Sequence, residues 1–376
     1  MIMKKVRIVW IATVFLLGCS GGDPKPEVSE GDLDRQVMLT HWADNIIIPS
    51  YNTFKILLDD MIQKSEAFAD APDEDALIAF RHAWEAAYIG WQKVELFETG
   101  PADRYTIRNF FNIYPTSVAG ILANINSGSA NMKTPASYAN QGFPALDYLL
   151  NGVADTDEGI VAYYSTEPDA EKRLAYIKRI TDRMDELLTK VITEWPTYRA
   201  MFISKTGLDI GSPMGLTVNA YVLNYERYIR SGKFGIPSGA MTISGETKYP
   251  DKVEAFYKRD ISKVLATVAH QASIDFFNGK DVVTGLEGPS LKSYLDGLDA
   301  KDTSTNTLLS TIINEQFNAA NAKLDLLPDN LHDAVESDNE SMLAVFAEMQ
   351  KEVRLLKVDM TSAMSITITY TDNDGD

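Results

Sequence analysis

The chain has 376 residues, 45% of them hydrophobic, and a formal net charge of -18. The length allows two ordinary domains or one large one, and the composition excludes an intrinsically disordered chain. So acidic a surface repels nucleic acid, and the single cysteine excludes an internal disulfide and a cysteine-based metal site.

The N-terminus reads as a targeting signal. Lys4, Lys5 and Arg7 make it basic, and Ile8 to Leu17 is an apolar run too short to span a bilayer comfortably. The run ends in Leu16-Leu17-Gly18-Cys19, which resembles a bacterial lipobox. Residues 1–18 are then a lipoprotein signal peptide, and Cys19 is the lipidation site. Two acyl chains on one residue anchor a protein stably where a single chain does not. Ser20 rather than aspartate follows the cysteine, which resembles an outer-membrane address. The expected location is the cell envelope, with the membrane as a partner through the lipid. Residues 19–32 are polar with Gly and Pro, and read as a flexible tether.

From Leu33 helical periodicity dominates. Val37, Trp42, Ile46, Tyr51, Phe54 and Leu58 recur at three- to four-residue steps, with a kink expected at Pro49. Residues 76–98 repeat the pattern around Leu77, Phe80, Trp84, Tyr88 and Trp91. Residues 106–125 and 144–150 add helix. A long amphipathic helix runs from Glu171 to Trp195 and is expected to stop near Pro196. Residues 204–215, with three glycines and Pro213, read as a connection between halves. Residues 216–230, 251–277, 308–326 and 339–364 continue the helical pattern, and Phe256, Val264 and Phe276 are expected in the second core. Only Ile366-Thr367-Ile368-Thr369-Tyr370 alternates like a strand. No fixed-period repeat is visible. The fold class is all-α with one short C-terminal strand, divided as 33–203, 204–364 and a strand with an acidic tail at 365–376.

Several segments resemble the imelysin family in order and spacing. Asp44-Asn45-Ile46-Ile47-Ile48-Pro49-Ser50-Tyr51 is similar to its opening helix, and residues 83–95, Ala83-Trp84 through Gln92 to Glu95, to its next one. Gly100-Pro101-Ala102, Asn112-Ile113-Tyr114-Pro115, Glu226-Arg227-Tyr228 and Lys233-Phe234-Gly235-Ile236-Pro237 resemble later elements of its Bacteroidetes-type members. Residues 141–152 resemble its signature, Gly-x-His-x-x-Glu, followed by Tyr-Leu-Leu. Here Pro144 stands in place of the histidine and Asp147 in place of the glutamate. A His and a carboxylate three residues apart on a helix can share one metal ion, whereas proline has no ligand atom. The resemblance implies two four-helix bundles packed side by side with a candidate site between them. It also implies a link to iron-regulated uptake, with iron or haem as the ligand ahead of zinc and with iron-uptake components as partners.

The candidate interdomain site comprises Gly142, Asp147, Tyr148, Glu95 and Glu226. Pro144 and Asp147 also suit a plain helix start, because proline is favoured there and an acid complements the dipole. Glu95 and Glu226 lie among aromatic residues, where a carboxylate must be paired or protonated. His41 and Asp44 share a helix face and are the weak metal candidates, but two ligands are too few for a closed site. His82 lies about 200° from Trp84 and is expected to face water. Asp372-Asn373-Asp374 begins like a calcium loop that ends before its later ligands. The reading is a lipid-anchored envelope binding component with no intact metallopeptidase motif. The alternatives are a metal-dependent peptidase with an atypical ligand set and a partner-docking lipoprotein.

Overall fold

A computed structural model describes residues 30–242 and 247–371. The expected signal segment, Cys19, most of the tether and the acidic end at 372–376 lie outside the described residues.

Helix α1, Glu30–His41, runs into a π-helical turn at Trp42–Ile47 and then α2, Ile48–Asp70. Pro49 explains the widened turn. It has no N–H to give the Asn45 carbonyl one turn back, and its ring crowds that carbonyl. Asn45 O accepts instead from the backbone N–H of Val282 at 3.0 Å, so the irregularity becomes a contact with the far end of the chain. Helix α3, Glu74–Trp91, starts where the Asp73 side chain accepts from Ala76 N. Helix α4, Gly142–Asn151, carries the signature-like segment.

Helix α5, Ala170–Ser204, passes straight through Pro196. The expected stop is therefore wrong. Trp195, Tyr198 and Phe202, on both sides of the proline, pack against one another, with Trp195 at 5.2 Å and 5.4 Å from the other two rings. Burial of Trp195 and Phe202 outweighs one missing hydrogen bond.

Helix α6, Pro213–Leu223, is capped by Ser212 and continues as a π-helical segment, Asn224–Gly235. Helices α7, Ser262–Asn278, α8, Leu309–Leu324, and α9, Asn339–Arg354, complete the second half. Two expected helices are shorter than their periodicity. Residues 106–125 break between Phe111 and Val118, around Pro115. Residues 251–261 form turns, with Ala255 and Arg259 at positive φ. Val264, expected inside, is 37% exposed, because α7 buries the opposite face through Leu265, Ala269, His270 and Phe276.

Helices α2, α3, α4 and α5 pack on one another, as do α7, α8, α9 and the π-helical segment after α6. Trp42 and Phe97 of the first set meet Phe276 of the second at ring distances of 4.9 Å and 5.5 Å. One continuous apolar core runs through both sets.

Among the described residues there is no strand, which corrects the expectation for 366–370. That segment has no regular secondary structure and no neighbouring strand to pair with. The Asn219 side chain takes a strand's place, accepting from Thr369 N at 2.8 Å and donating to Thr367 O at 2.9 Å. Two surface loops follow one pattern that the sequence reading did not register as a repeat. Bridges Lys280–Glu287 and Lys301–Leu308 close them. Asp281 and Asp302 each accept from the backbone N–H groups two and three residues on.

Candidate functional site

Two features meet near α4: a buried polar seam between the helix sets and an open cleft at the helix's other end. The seam forms where α3, the turn at Asn112, the π-helical segment and the turn at Glu254 come together. Glu254 is 2% exposed and receives donors on both oxygens. Its Oε1 lies 3.1 Å from the Tyr88 hydroxyl and accepts from Gln92 Nε2 at 3.1 Å and Asn112 Nδ2 at 2.8 Å. Its Oε2 is ion-paired with Lys233 Nζ, which also donates to Gln92 Oε1 at 2.9 Å. The Asn112 amide reaches Glu95 Oε1 at 3.2 Å as well.

Glu95 is 2% exposed, and burial raises its carboxyl above the usual range against the pull of Lys233 and Arg108. Arg108, also buried, donates to the Glu95 carbonyl at 2.7 Å and lies 4.2 Å over the Tyr228 ring. Glu98 accepts from Arg108 N at 3.1 Å, and burial pushes its carboxyl up to about 7. Every oxygen of Glu254 is engaged, so the seam is a closed ion-pair network rather than an open coordination site.

The signature-like segment does other work. Gly142 has φ +75, and a Cβ there would stand 2.3 Å from the Phe111 carbonyl oxygen, so only glycine fits. Phe143 stacks on Tyr88 at 4.6 Å, and its carbonyl accepts from Trp84 Nε1 at 3.2 Å. Asp147 is 2% exposed. Its Oδ2 accepts from Tyr257 N at 2.9 Å, and its Oδ1 from Lys258 N at 2.9 Å and Asn151 Nδ2 at 3.2 Å. Burial pushes this carboxyl up to about 7, although the two backbone donors pull the other way. Those donations hold the chain out of helix at Tyr257 and Lys258, whose N–H groups turn toward Asp147.

The three residues that Asp147 holds also line a cleft of about 330 Å³. Asn151, Tyr257 and Lys258 form one wall, with Arg81, His82, Glu85, Asp155 and Asp157 around them. Arg81 donates to the Leu150 carbonyl through Nε and Nη2, at 3.0 Å and 2.8 Å, and pairs with Asp157 at 2.7 Å. Lys258 Nζ lies 3.2 Å from Glu85 and 3.0 Å from Asp260. Tyr148 is half-buried, with its ring 5.1 Å from Tyr257. His82 is exposed, as its helical angle requires.

The remaining candidates stand apart. Glu226 accepts from Lys357 Nζ at 2.9 Å and the Tyr370 hydroxyl at 2.6 Å, on the side where the chain ends. His41 Nε2 lies 2.8 Å from the Gly279 carbonyl at the end of α7, while Asp44 pairs with Arg199. They share a helix face but no ligand. Among the described residues no group of three or more His, Cys, Asp or Glu side chains is placed to hold a metal ion.

Lys233, Glu254 and Asn151 were not singled out from the sequence. Tyr88, Gln92, Asn112 and Lys233 did stand within segments of the family resemblance, and the structure brings all four together. Glu254 lay inside a stretch read as plain helix and gave no separate signal.

Comparisons agree with this architecture. The family model described as Imelysin matches residues 47–357. Iron-regulated protein A of Synechococcus elongatus is 24% identical over 225 residues, covering 58% of each chain, so the match spans little more than half of that relative. The crystal structure of an imelysin-like protein from Psychrobacter arcticum has a TM-score of 0.67 at 17% identity, over 90% of this chain and 98% of that one. A putative iron-regulated protein A precursor from Parabacteroides distasonis gives 0.69 at 15% identity, over 91% and 96%. At these identities the structural likeness establishes the fold. Among the described residues no helix is long and apolar enough to cross a membrane.

Proposed function

The chain belongs to the imelysin family, and on that premise we propose that it is a lipid-anchored envelope protein serving as a binding component of iron or haem acquisition, without metallopeptidase action at the signature segment. The observation that carries this reading is the use made of Asp147. Both of its oxygens take backbone N–H groups, and Pro144 offers no ligand atom, so the segment positions the cleft wall instead of a metal. The cleft mixes Arg81, Lys258 and His82 with Glu85, Asp155 and Asp157 and suits a polar, charged ligand. The iron link rests on the names of the Synechococcus and Parabacteroides relatives. Anchoring rests on the Leu16-Leu17-Gly18-Cys19 sequence.

Binding is tested by titrating the purified mature protein with ferric iron and with haem, alongside Asp157→Asn and Lys258→Ala. Saturable binding to the wild type, weakened by both changes, supports the proposal. Metal-dependent peptide cleavage by the wild type, lost in a folded Asp147→Ala, overturns it in favour of a peptidase with an atypical ligand set. Partner docking is a second reading, favoured by Val283 and Leu286. They are 82% and 70% exposed on the 280–287 loop.

A further inference from the structure

Two surface hairpins, closed by the bridges Lys280–Glu287 and Lys301–Leu308, share one backbone but not one chemistry. In each, an aspartate carbonyl accepts at 2.9 Å from a residue of positive φ, Gly285 onto Asp281 and Asn306 onto Asp302. Val282, Val283 and Leu286 of the first stand where Thr303, Ser304 and Thr307 stand in the second. The turn therefore accepts hydroxyl side chains, and its geometry does not require aliphatic ones. Yet Val283 and Leu286 are 82% and 70% exposed. Asp281 fixes the tip that carries them, accepting from Val283 N at 2.7 Å and Thr284 N at 2.8 Å.

This hairpin is tied to the helix that follows the tether. Asn45 Nδ2 donates to Asp281 Oδ2 at 2.7 Å, and His41 Nε2 lies 2.8 Å from the Gly279 carbonyl. Further back along α1, Arg35 Nη1 donates to the Tyr294 hydroxyl at 3.0 Å. So α1 runs beside the hairpin and the short helix Leu291–Gly297 that comes after it. Both neighbours add exposed aliphatics, Val37 on α1 and Leu298 just past the short helix, at 55% and 46%.

Reach and charge point to what covers this face. From Glu30 to Asn45 the chain advances about 20 Å as helix. Residues 20–29 separate Cys19 from Glu30, and their full reach is about 40 Å. Acyl chains on Cys19 and the hairpin tip can therefore enter one bilayer together. Residues 280–292 carry Lys280 and Lys292 against Asp281 and Glu287, no net charge, in a chain of -18. A neutral apolar projection can approach a bilayer whose anionic lipids repel the acidic remainder. We propose that the hairpin 280–287 seats Val283 and Leu286 in the apolar edge of the bilayer that holds the Cys19 acyl chains. This rests on the acylation of Cys19 proposed above, which keeps a weakly binding tip at high local concentration.

The test replaces acylated Cys19 of the mature chain with a hexahistidine segment. The protein is then held on vesicles of phosphatidylethanolamine with a minor share of phosphatidylglycerol and nickel-chelating lipid. No other thiol is present, so Val283→Cys can be labelled with an environment-sensitive fluorophore. Leu326→Cys is the reference, 76% exposed and past the end of α8 remote from the hairpins. Emission at 283 should shift to the blue on the vesicles, emission at 326 should not, and Leu286→Ser should reduce the shift at 283. Unshifted emission at 283 on vesicle-bound protein overturns the proposal and leaves the face to a protein partner. Equal shifts at 283 and 326 also overturn it. So does a shift at 283 that grows with protein concentration without vesicles, which assigns the face to a second copy of the chain. An unmodified wild-type N-terminus, found by mass spectrometry, removes the acyl anchor alone, and the emission at 283 still decides the hairpin.

Discussion

Asp147 serves as a backbone anchor between α4 and the turn at residues 257 and 258. Its carboxylate accepts from two successive N–H groups across that gap. Asp147→Ala leaves those part-buried donors unpaired, and should cost about 1–3 kcal/mol in urea unfolding. The same carboxyl gives a pH signature. Asp147 and Glu98 both sit near 7 in the folded protein, above their values in the unfolded chain. The folded state therefore binds more protons between about pH 4 and 7, so these two groups add stability as pH falls through that window and lose it as pH rises toward 7. Glu186 and Asp302, both lowered to about 2, act in the opposite sense, with stability lost only as pH falls from about 4 toward 2. Unfolding midpoints measured from pH 4.5 to 7.5 should fall with rising pH, and less steeply in Asp147→Asn. A flat profile in the wild type would contradict the protonation argued for Asp147 and Glu98.

At the level of elements, α3 carries the N-terminal set. Trp84, Tyr88 and Trp91 are each 0% exposed, and Trp84 ties α3 to α4 through the Phe143 carbonyl. Trp84→Ala removes a large ring and leaves that carbonyl without its donor. Its expected cost is about 3–5 kcal/mol, read from chemical denaturation. The three π-helical stretches among the described residues place side chains that a regular helix would not. The turn at Trp42–Ile47 frees the Asn45 carbonyl for Val282. The segment Asn224–Gly235 puts Tyr228 over Arg108, Lys233 beside Glu254 and Glu226 beside Tyr370. The third, Leu355–Met360, brings Lys357 to Glu226.

At the level of the whole molecule, the Lys233–Glu254 pair fastens the two helix sets through Tyr88, Gln92 and Asn112. Both partners are 2% exposed, so breaking the pair strands a charge. Lys233→Met should cost about 3–5 kcal/mol, whereas Lys233→Met with Glu254→Gln should recover most of the loss, because no unpaired charge then remains. Urea unfolding of the two variants separates these outcomes. Equal destabilisation would mean that the seam is held by packing alone. Membrane attachment is tested at the same scale. Cys19→Ala should move the protein from the membrane fraction to the soluble fraction, because two-chain anchoring is lost. An unmodified mature N-terminus in the wild type, found by mass spectrometry, would remove the anchor from the proposal.

The sequence by itself determined the all-helical class, because a 3.6-residue apolar period such as Trp84, Tyr88 and Trp91 requires a buried helix face whatever lies opposite. It also carried the family likeness, and with it most of the seam, since Tyr88, Gln92, Asn112 and Lys233 lie in the segments that express that likeness. Only the tertiary structure decided where helices truly end. Pro196 fails to stop α5 because buried rings flank it on both sides, and the helical pattern of residues 251–261 is broken where Asp147 takes the N–H groups of Tyr257 and Lys258. The same holds for the carboxylates. Local pattern could say that Glu95, Glu226 and Asp147 each needed a partner. The partners, Asn112, Lys357 and the backbone of Tyr257 and Lys258, lie 17 to 131 residues away, and pairing at that range is set by how helices pack, which no short window of sequence contains.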